Sequence, residues 1–170
     1  SKRTRRPVTS ESPRHQQPAE EAVYLDEKGQ ALSDLLERTL QRLSPQMGAT
    51  LDQVVVTVQP EQVVEAARKL RDETQTACDM LLCLSVVDYL DRFEVVYHLQ
   101  SLEKNHRIVL KTSTPYDDPR VPSVISVWPE ADWFEREGHD LFGVVFDGHP
   151  NLSPLLLYEE FEGYPGRKSY

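Results

Sequence analysis

The sequence predicts an α+β fold, a mostly antiparallel sheet with helices packed on it and an extended C-terminal strap. Three observations carry that expectation. Phe93, Val95, Tyr97 and Leu99 alternate with Glu94, Val96 and His98, the period of a strand that buries one face. A second strand-like stretch, 106–112, follows across the short polar loop 103–105, so the two read as antiparallel neighbours in a meander. Two runs at helical spacing, Leu32, Leu35, Leu36, Leu40, Leu43 and Val63, Val64, Ala67, Leu70, supply apolar faces to cover such a sheet.

In chain order, residues 1–20 carry Lys2, Arg3, Arg5, Arg6 and Arg14 among prolines, with almost no large apolar side chain. Burial there does not offset the entropy of ordering, so a disordered basic arm is expected, solvated or lying on an acidic neighbour. Residues 21–150 then form the α+β domain. The first helical run stops at Ser44-Pro45, the β-branched residues 54–58 make a strand, and Pro60 opens the second helix. The almost continuous apolar run 80–87 reads as a central strand covered on both faces. Prolines at 115, 119 and 122 predict an irregular loop over 116–122, after which Ser123 caps a short turn. Residues 144–146 suggest a short edge strand. Residues 151–170 mix Leu155, Leu156, Leu157, Phe161, Tyr164 and Tyr170 with Pro154, Gly163, Pro165 and Gly166. Such an apolar, broken strap lies in a groove on its own domain or on a partner.

Pro129 at one end and Gly143 at the other, with Glu130 and Asp132 near the start, predict a helix over residues 129–142. On a helical wheel Phe134, Gly138 and Leu141 make the apolar stripe, flanked by Phe142 and Trp133. Glu137 falls beside it and Asp140 further round, while Glu135 and His139 lie on the side away from it. A carboxylate at Glu137 is either partly buried against a basic group or sits at a seam with another protein, because an unpaired buried charge is costly. Arg136 can reach Asp140 at the i,i+4 spacing.

The net charge of −9 argues against a nucleic-acid or anionic-membrane surface for the folded part. No apolar run is long enough to span a bilayer, so membrane association must pass through partners. The two cysteines, Cys78 and Cys83, match neither zinc nor iron–sulfur spacing and read as buried free thiols. There is no Gly-x-Gly among the 7 glycines and no Gly-x-Ser-x-Gly elbow. Glu135, Glu137, Asp140, His139 and His149 could form a metal or acid/base site, but a di-iron centre needs a second set of inward ligands that the chain lacks. His139 and His149 read as hydrogen-bonded turn or interface residues.

The string Glu135-Arg136-Glu137, two residues, Asp140-Leu141-Phe142, then His149-Pro150 six residues on, resembles the signature of the NuoC family. This family comprises the small hydrophilic C subunit of proton-pumping NADH:quinone oxidoreductase, respiratory complex I, with the NdhJ subunit and the matching subunits of membrane-bound hydrogenases. Asp88-Tyr89, the approach over 119–123, and Arg167-Lys168 with Tyr170 agree, and the likeness covers about 54–170. The chain departs from the family at Ser153-Pro154, where a basic residue is usual, at Phe161 for Trp and at Tyr164 for His.

The resemblance implies a non-catalytic structural subunit of the hydrophilic arm, against the large subunit that shapes the quinone site and the small one with the terminal iron–sulfur cluster. It implies no cofactor in this chain, with FMN, iron–sulfur clusters, NADH and quinone held by partner subunits. The implied interface residues are Glu135, Arg136, Glu137, Asp140 and His149, with Arg167 and Lys168 pairing to a neighbour's acids, and the extended segment 151–170 is implied to dock on a partner subunit. The implied location is peripheral, on the cytoplasmic side of a cell membrane or the matrix or stromal side of an organelle inner membrane. A hydrogenase counterpart is the alternative within the family, and a metal-dependent hydrolase using Glu137, Asp140 and His149 is the alternative outside it.

Overall fold

The computed structural model describes residues 25–157 and 160–170. The expected basic arm, residues 1–20, lies outside the described residues. Among them, no helix is long and apolar enough to cross a membrane.

The elements run α1 (Glu27–Thr39), β1 (Gln46–Thr50), β2 (Gln53–Thr57), α2 (Val63–Asp72), β3 (Met80–Asp88), β4 (Arg92–Ser101), β5 (His106–Pro115), β6 (Arg120–Pro122), α3 (Ala131–Phe142) and β7 (Val145–Asp147). Five strands form one sheet in the order β1-β2-β5-β4-β3, antiparallel except where β2 runs parallel to β5. The α+β expectation holds. β4 and β5 pair along their whole length, Arg92 opposite Pro115 and Ser101 opposite His106, which is the predicted meander.

One face of the sheet is the core. Phe93, Val95, Tyr97 and Leu99 of β4 and Ile108 and Leu110 of β5 are fully buried there against Leu36 and Leu40 from the α1 segment and Val63, Ala66, Ala67 and Leu70 of α2. Asp26 accepts the Gly29 N–H at 2.7 Å and so starts α1, ahead of the apolar stripe. The loop after α2 is tied down by Thr76, whose hydroxyl donates to the Leu70 carbonyl, and by the Trp128 indole N–H, which donates to the Cys78 carbonyl at 3.0 Å. The other face is mostly polar, with only Val55, Val96 and Val109 packed together on it.

Three expectations fail here for physical reasons. The run 80–87 is not a central strand: β3 is an edge, with Leu84 and Val86 turned into the core and Cys83 and Val87 exposed. α3 lies along this edge and packs on the inward Val86, so apolar density reported a helix neighbour instead of a second strand, while the outward Cys83 and Val87 stay exposed. The stretch 116–122 is not wholly irregular, since β6 pairs in parallel with β7, Arg120 opposite Val145 and Pro122 opposite Asp147. Pro122 is tolerated as the last residue of a three-residue strand. Of the two thiols only Cys78 is buried; Cys83 is exposed. β1, which has neither β-branched density nor alternation, forms because the turn at Leu51 (φ 52°) folds it back on β2.

Candidate interface around the third helix

α3 ends where the sequence says it must. Gly143 takes φ +77°, and its N–H donates to the His139 carbonyl at 2.8 Å. Space alone demands glycine as well, because a Cβ would stand 2.7 Å from the Tyr164 ring and 2.9 Å from Arg167 Nη2. The start is fixed from outside: Glu130 accepts the Leu81 N–H of β3 at 3.1 Å, which lays the helix along that edge strand.

The face that α3 buries differs from the wheel. Its buried residues are Ala131, Glu135 and Gly138; Phe134 and Phe142 pack partly buried against the core, and Trp133 is 54% exposed. Glu135, placed on the outer side by apolarity, is instead 0% exposed. Its carboxylate accepts the Ser123 hydroxyl at 2.6 Å and the Val124 N–H at 2.8 Å. Ser123 also accepts the Ile125 N–H at 3.2 Å, as the expected turn cap does. Glu135 thus fastens the segment after β6 to α3. A wheel weighted by apolarity cannot see a carboxylate whose partners lie on another element. Burial pushes the Glu135 carboxyl above its usual range, against the lowering effect of those two bonds and of nearby His149. Burial first, and Glu135 second, push the Tyr97 phenol well above its usual range.

The other charged positions are mostly engaged within the chain. Asp140 Oδ2 accepts the N–H groups of Leu155, Leu156 and Leu157 at 3.4, 2.9 and 2.9 Å, so it anchors the strap and does not pair with Arg136. Arg136 reaches Ser153 Oγ at 3.5 Å with one terminal nitrogen, and its Nε is buried with no hydrogen-bond partner among the described residues. His139 Nδ1 lies 2.9 Å from the Val144 carbonyl. The His149 ring is fully buried; its Nδ1 accepts the Asn151 N–H at 3.0 Å. Its Nε2 stands 2.9 Å from Asp132 Oδ1, a contact that is off-line for a hydrogen bond and becomes an ion pair only when the ring is protonated.

The C-terminal segment is seated on its own domain. Arg167 Nε donates to the Phe142 carbonyl at 2.7 Å, capping the end of α3, and its guanidinium lies over the rings of Tyr164, Phe93 and Tyr116 at 4.6, 5.1 and 5.1 Å. The Lys168 N–H donates to Asp88 Oδ2 at 2.8 Å, and Ser169 meets the Tyr116 hydroxyl at 2.7 Å. Burial works to raise the Asp88 carboxyl, but the N–H groups of Leu90 and Lys168 and the nearby Lys168 and Arg167 charges lower it on balance. Motif spacing located Arg167 and Lys168; nothing in it disclosed that Asp88, Phe93 and Tyr116 would receive them.

Glu137 remains. It is half-buried and makes no hydrogen bond or ion pair among the described residues. It faces Cys83, whose thiol is pushed up by burial and then by the Glu137 charge. Among the described residues no group of three or more His, Cys, Asp or Glu side chains is placed to hold a metal. Glu137, Asp140 and His149 therefore do not converge as the hydrolase alternative requires. A cavity of about 120 Å³ under the strap, lined by His139, Asp140, Leu152, Leu157, Phe161 and Tyr164, is smaller than sites for drug-sized ligands, which run to several hundred Å³.

Residues 56–170 match the family described as "Respiratory-chain NADH dehydrogenase, 30 Kd subunit". Among curated proteins, the C subunit of the NADH-quinone oxidoreductase of Roseiflexus castenholzii is 48% identical over 116 residues, covering 66% of this chain and 67% of that protein. Its counterpart in Caulobacter vibrioides is 46% identical over 121 residues, covering 69% and 61%. The counterpart in Salinispora arenicola is 37% identical over 158 residues, covering 86% and 61%. The chain thus spans 61 to 67% of the length of these three relatives. Among solved structures, a trypsin-resistant fragment of Nqo5 aligns with a TM-score of 0.60 at 30% identity, over 71% of this chain and 98% of the fragment. A chain of the membrane-bound sulfane sulfur reductase, an archaeal respiratory membrane complex, aligns with a TM-score of 0.70 at 25% identity, over 85% and 86%. The motif on α3, the sheet it flanks and these likenesses agree: the chain belongs to the 30 kDa subunit family of the respiratory-chain NADH dehydrogenase.

Proposed function

We propose that this chain is a structural, non-catalytic subunit of the hydrophilic arm of a proton-pumping NADH:quinone oxidoreductase. NADH oxidation, electron transfer to quinone and proton translocation belong to the assembled complex. FMN, iron–sulfur clusters and the NADH and quinone sites are carried by its partners. The neighbours we infer are the large subunit that shapes the quinone site, the subunit with the terminal iron–sulfur cluster and the peripheral-arm iron–sulfur subunits. The chain is held at the membrane through them, on the cytoplasmic side of a cell membrane or the matrix or stromal side of an organelle inner membrane.

One observation supports this best: the charged motif is largely used to build the chain itself. Glu135 holds the segment after β6, Asp140 holds the strap, and Arg167 caps α3. Residues that catalyse need a reactive atom free to meet substrate, whereas these atoms are occupied by the chain's own backbone and hydroxyl groups. The interface role is assigned first to Glu137, with Lys168 reaching a neighbouring subunit and Arg136, turned to Ser153, holding the strap beside it. Glu135, Asp140, His149 and Arg167 shape that surface from within, and the outer side of the strap docks on the partner.

The likeness to the sulfane sulfur reductase favours one second reading, an equivalent subunit in a respiratory membrane complex of the hydrogenase branch with a different electron donor or acceptor. Mild-detergent affinity purification of the tagged chain from its native membranes, followed by mass spectrometry, separates the two. Recovery with flavin and iron–sulfur NADH dehydrogenase subunits is the expected result. A nickel–iron large subunit would move the chain to the hydrogenase branch, and stoichiometric metal on the purified chain would revive the hydrolase.

A further inference from the structure

α3 turns about 100° per residue, so its sides can be assigned from its contacts. Ala131, Glu135 and Gly138 face the core. The Gly138 side rests on β3, where a Cβ would meet Val86 Cγ2 at 3.2 Å. On another side the segment after His149 covers the helix, through Ser153 at Arg136 and the N–H groups of Leu155 to Leu157 at Asp140. Between the strap and the β3 edge the described residues leave a strip uncovered. Trp133 and Glu137, one turn apart, lie along it.

Three features make this strip unlike an ordinary solvated helix face. Trp133 is 54% exposed, at a position where a globular chain gains nothing by exposing a large ring. Leu156, held over Asp140 by its own N–H, is also 54% exposed and extends the apolar character beyond Glu137. Between them the half-buried Glu137 carboxylate has no cation among the described residues, and its charge is felt by the exposed Cys83 of β3. The nearest helix cation, Arg136, is turned to Ser153. A half-buried carboxylate between apolar side chains needs a counter-charge once water is excluded.

We propose that the strip formed by Trp133, Glu137, Cys83 and Leu156 is the seam with the neighbouring subunit, and that this partner sets a lysine or arginine against Glu137 between apolar side chains covering Trp133 and Leu156. The inference rests on the proposed function and names the chemistry of its partner. The charge favours such a partner twice over, since the whole chain carries −9 and Glu137 has no cation among the described residues. Trp133 supplies the large anchor that concentrates binding energy at interfaces.

The test uses tagged full-length chain, wild type and the Trp133→Ala, Glu137→Lys and Glu137→Gln variants, purified from native membranes in mild detergent. Trp133→Ala and Glu137→Lys are expected to lower co-purified partner subunits roughly tenfold or more, and Glu137→Gln less. The unfolding midpoint of each purified variant stays at the wild-type value, because neither side chain supports the core. Cys83 is expected to react with a maleimide in the isolated chain and to be protected in the complex. Wild-type recovery of partners by the variants, or equal labelling of Cys83 in both states, would place the seam elsewhere. A homodimer lost on Trp133→Ala would make the strip a self-contact and overturn the partner chemistry. If even wild type brings down no subunit, the proposed function itself fails, an outcome distinct from failure of the seam.

Discussion

At the scale of single residues, Glu135 shows how a charged residue in a motif becomes part of the core. Both carboxylate oxygens are bonded to Ser123 and Val124 at 0% exposure, so Glu135→Ala strands a buried hydroxyl and a buried N–H. A loss of about 2 kcal/mol in urea unfolding is expected, since an unsatisfied buried polar group costs about 1–3 kcal/mol; Glu135→Gln, which keeps an acceptor, loses less. The pH dependence follows from the direction of the shift. The folded carboxyl is raised above its ordinary value of 4.5, so the unfolded chain releases its proton first. Glu135 therefore supports the fold fully below about pH 4.5, and this contribution falls as pH rises through the folded value. The stability difference between wild type and Glu135→Gln, followed by urea midpoints from pH 4 to 7, is expected to move against wild type as pH rises. A difference that stays flat with pH would show that the group is not shifted. Glu137, two residues away, is half-buried and makes no hydrogen bond or ion pair among the described residues, because α3 turns it away from the core.

At the scale of elements, α3 and the C-terminal strap form one unit, and its joint is Gly143. Alanine there must hold φ +77° and place Cβ against Tyr164 and Arg167. The left-handed conformation alone costs about 1–2 kcal/mol, and the clash adds to it. The expected outcome for Gly143→Ala is release of residues 160–170 from Phe93, Tyr116 and Phe142, read as faster proteolysis of that segment with the five-stranded sheet retained. An unchanged digestion pattern would show that the strap does not depend on this joint. Helix ends were legible in the sequence because they depend on local chemistry: Gly143 stops α3, and Ser44, in the left-handed region, ends the turn after α1. The inward phase of α3 was not, because the partners of Glu135 sit 11 and 12 residues away on another segment.

At the scale of the whole molecule, the sheet order makes β5 central, held by β2 and β4, while β1 and β3 are edges. Native-state amide exchange is therefore expected to be slowest in β5 and β4 and fastest in β1, whose residues are exposed or half-buried along its length. Slow exchange throughout β1 in the isolated chain would mean that its free edge is covered by something else. The sequence by itself determined the α+β class, the β4–β5 meander, the two covering helices, the C-terminal limit of α3 and the family, since each depends on periodicity, turn chemistry or residue spacing within one stretch. Only the tertiary structure decided that the apolar run 80–87 is an edge, that β2 joins β5 in parallel, that Glu135 points inward and that Arg167 is clamped by its own aromatic residues. Each of those outcomes depends on which distant segment arrives beside a residue. Local pattern states how much apolar or charged surface an element offers, and packing alone determines what meets it.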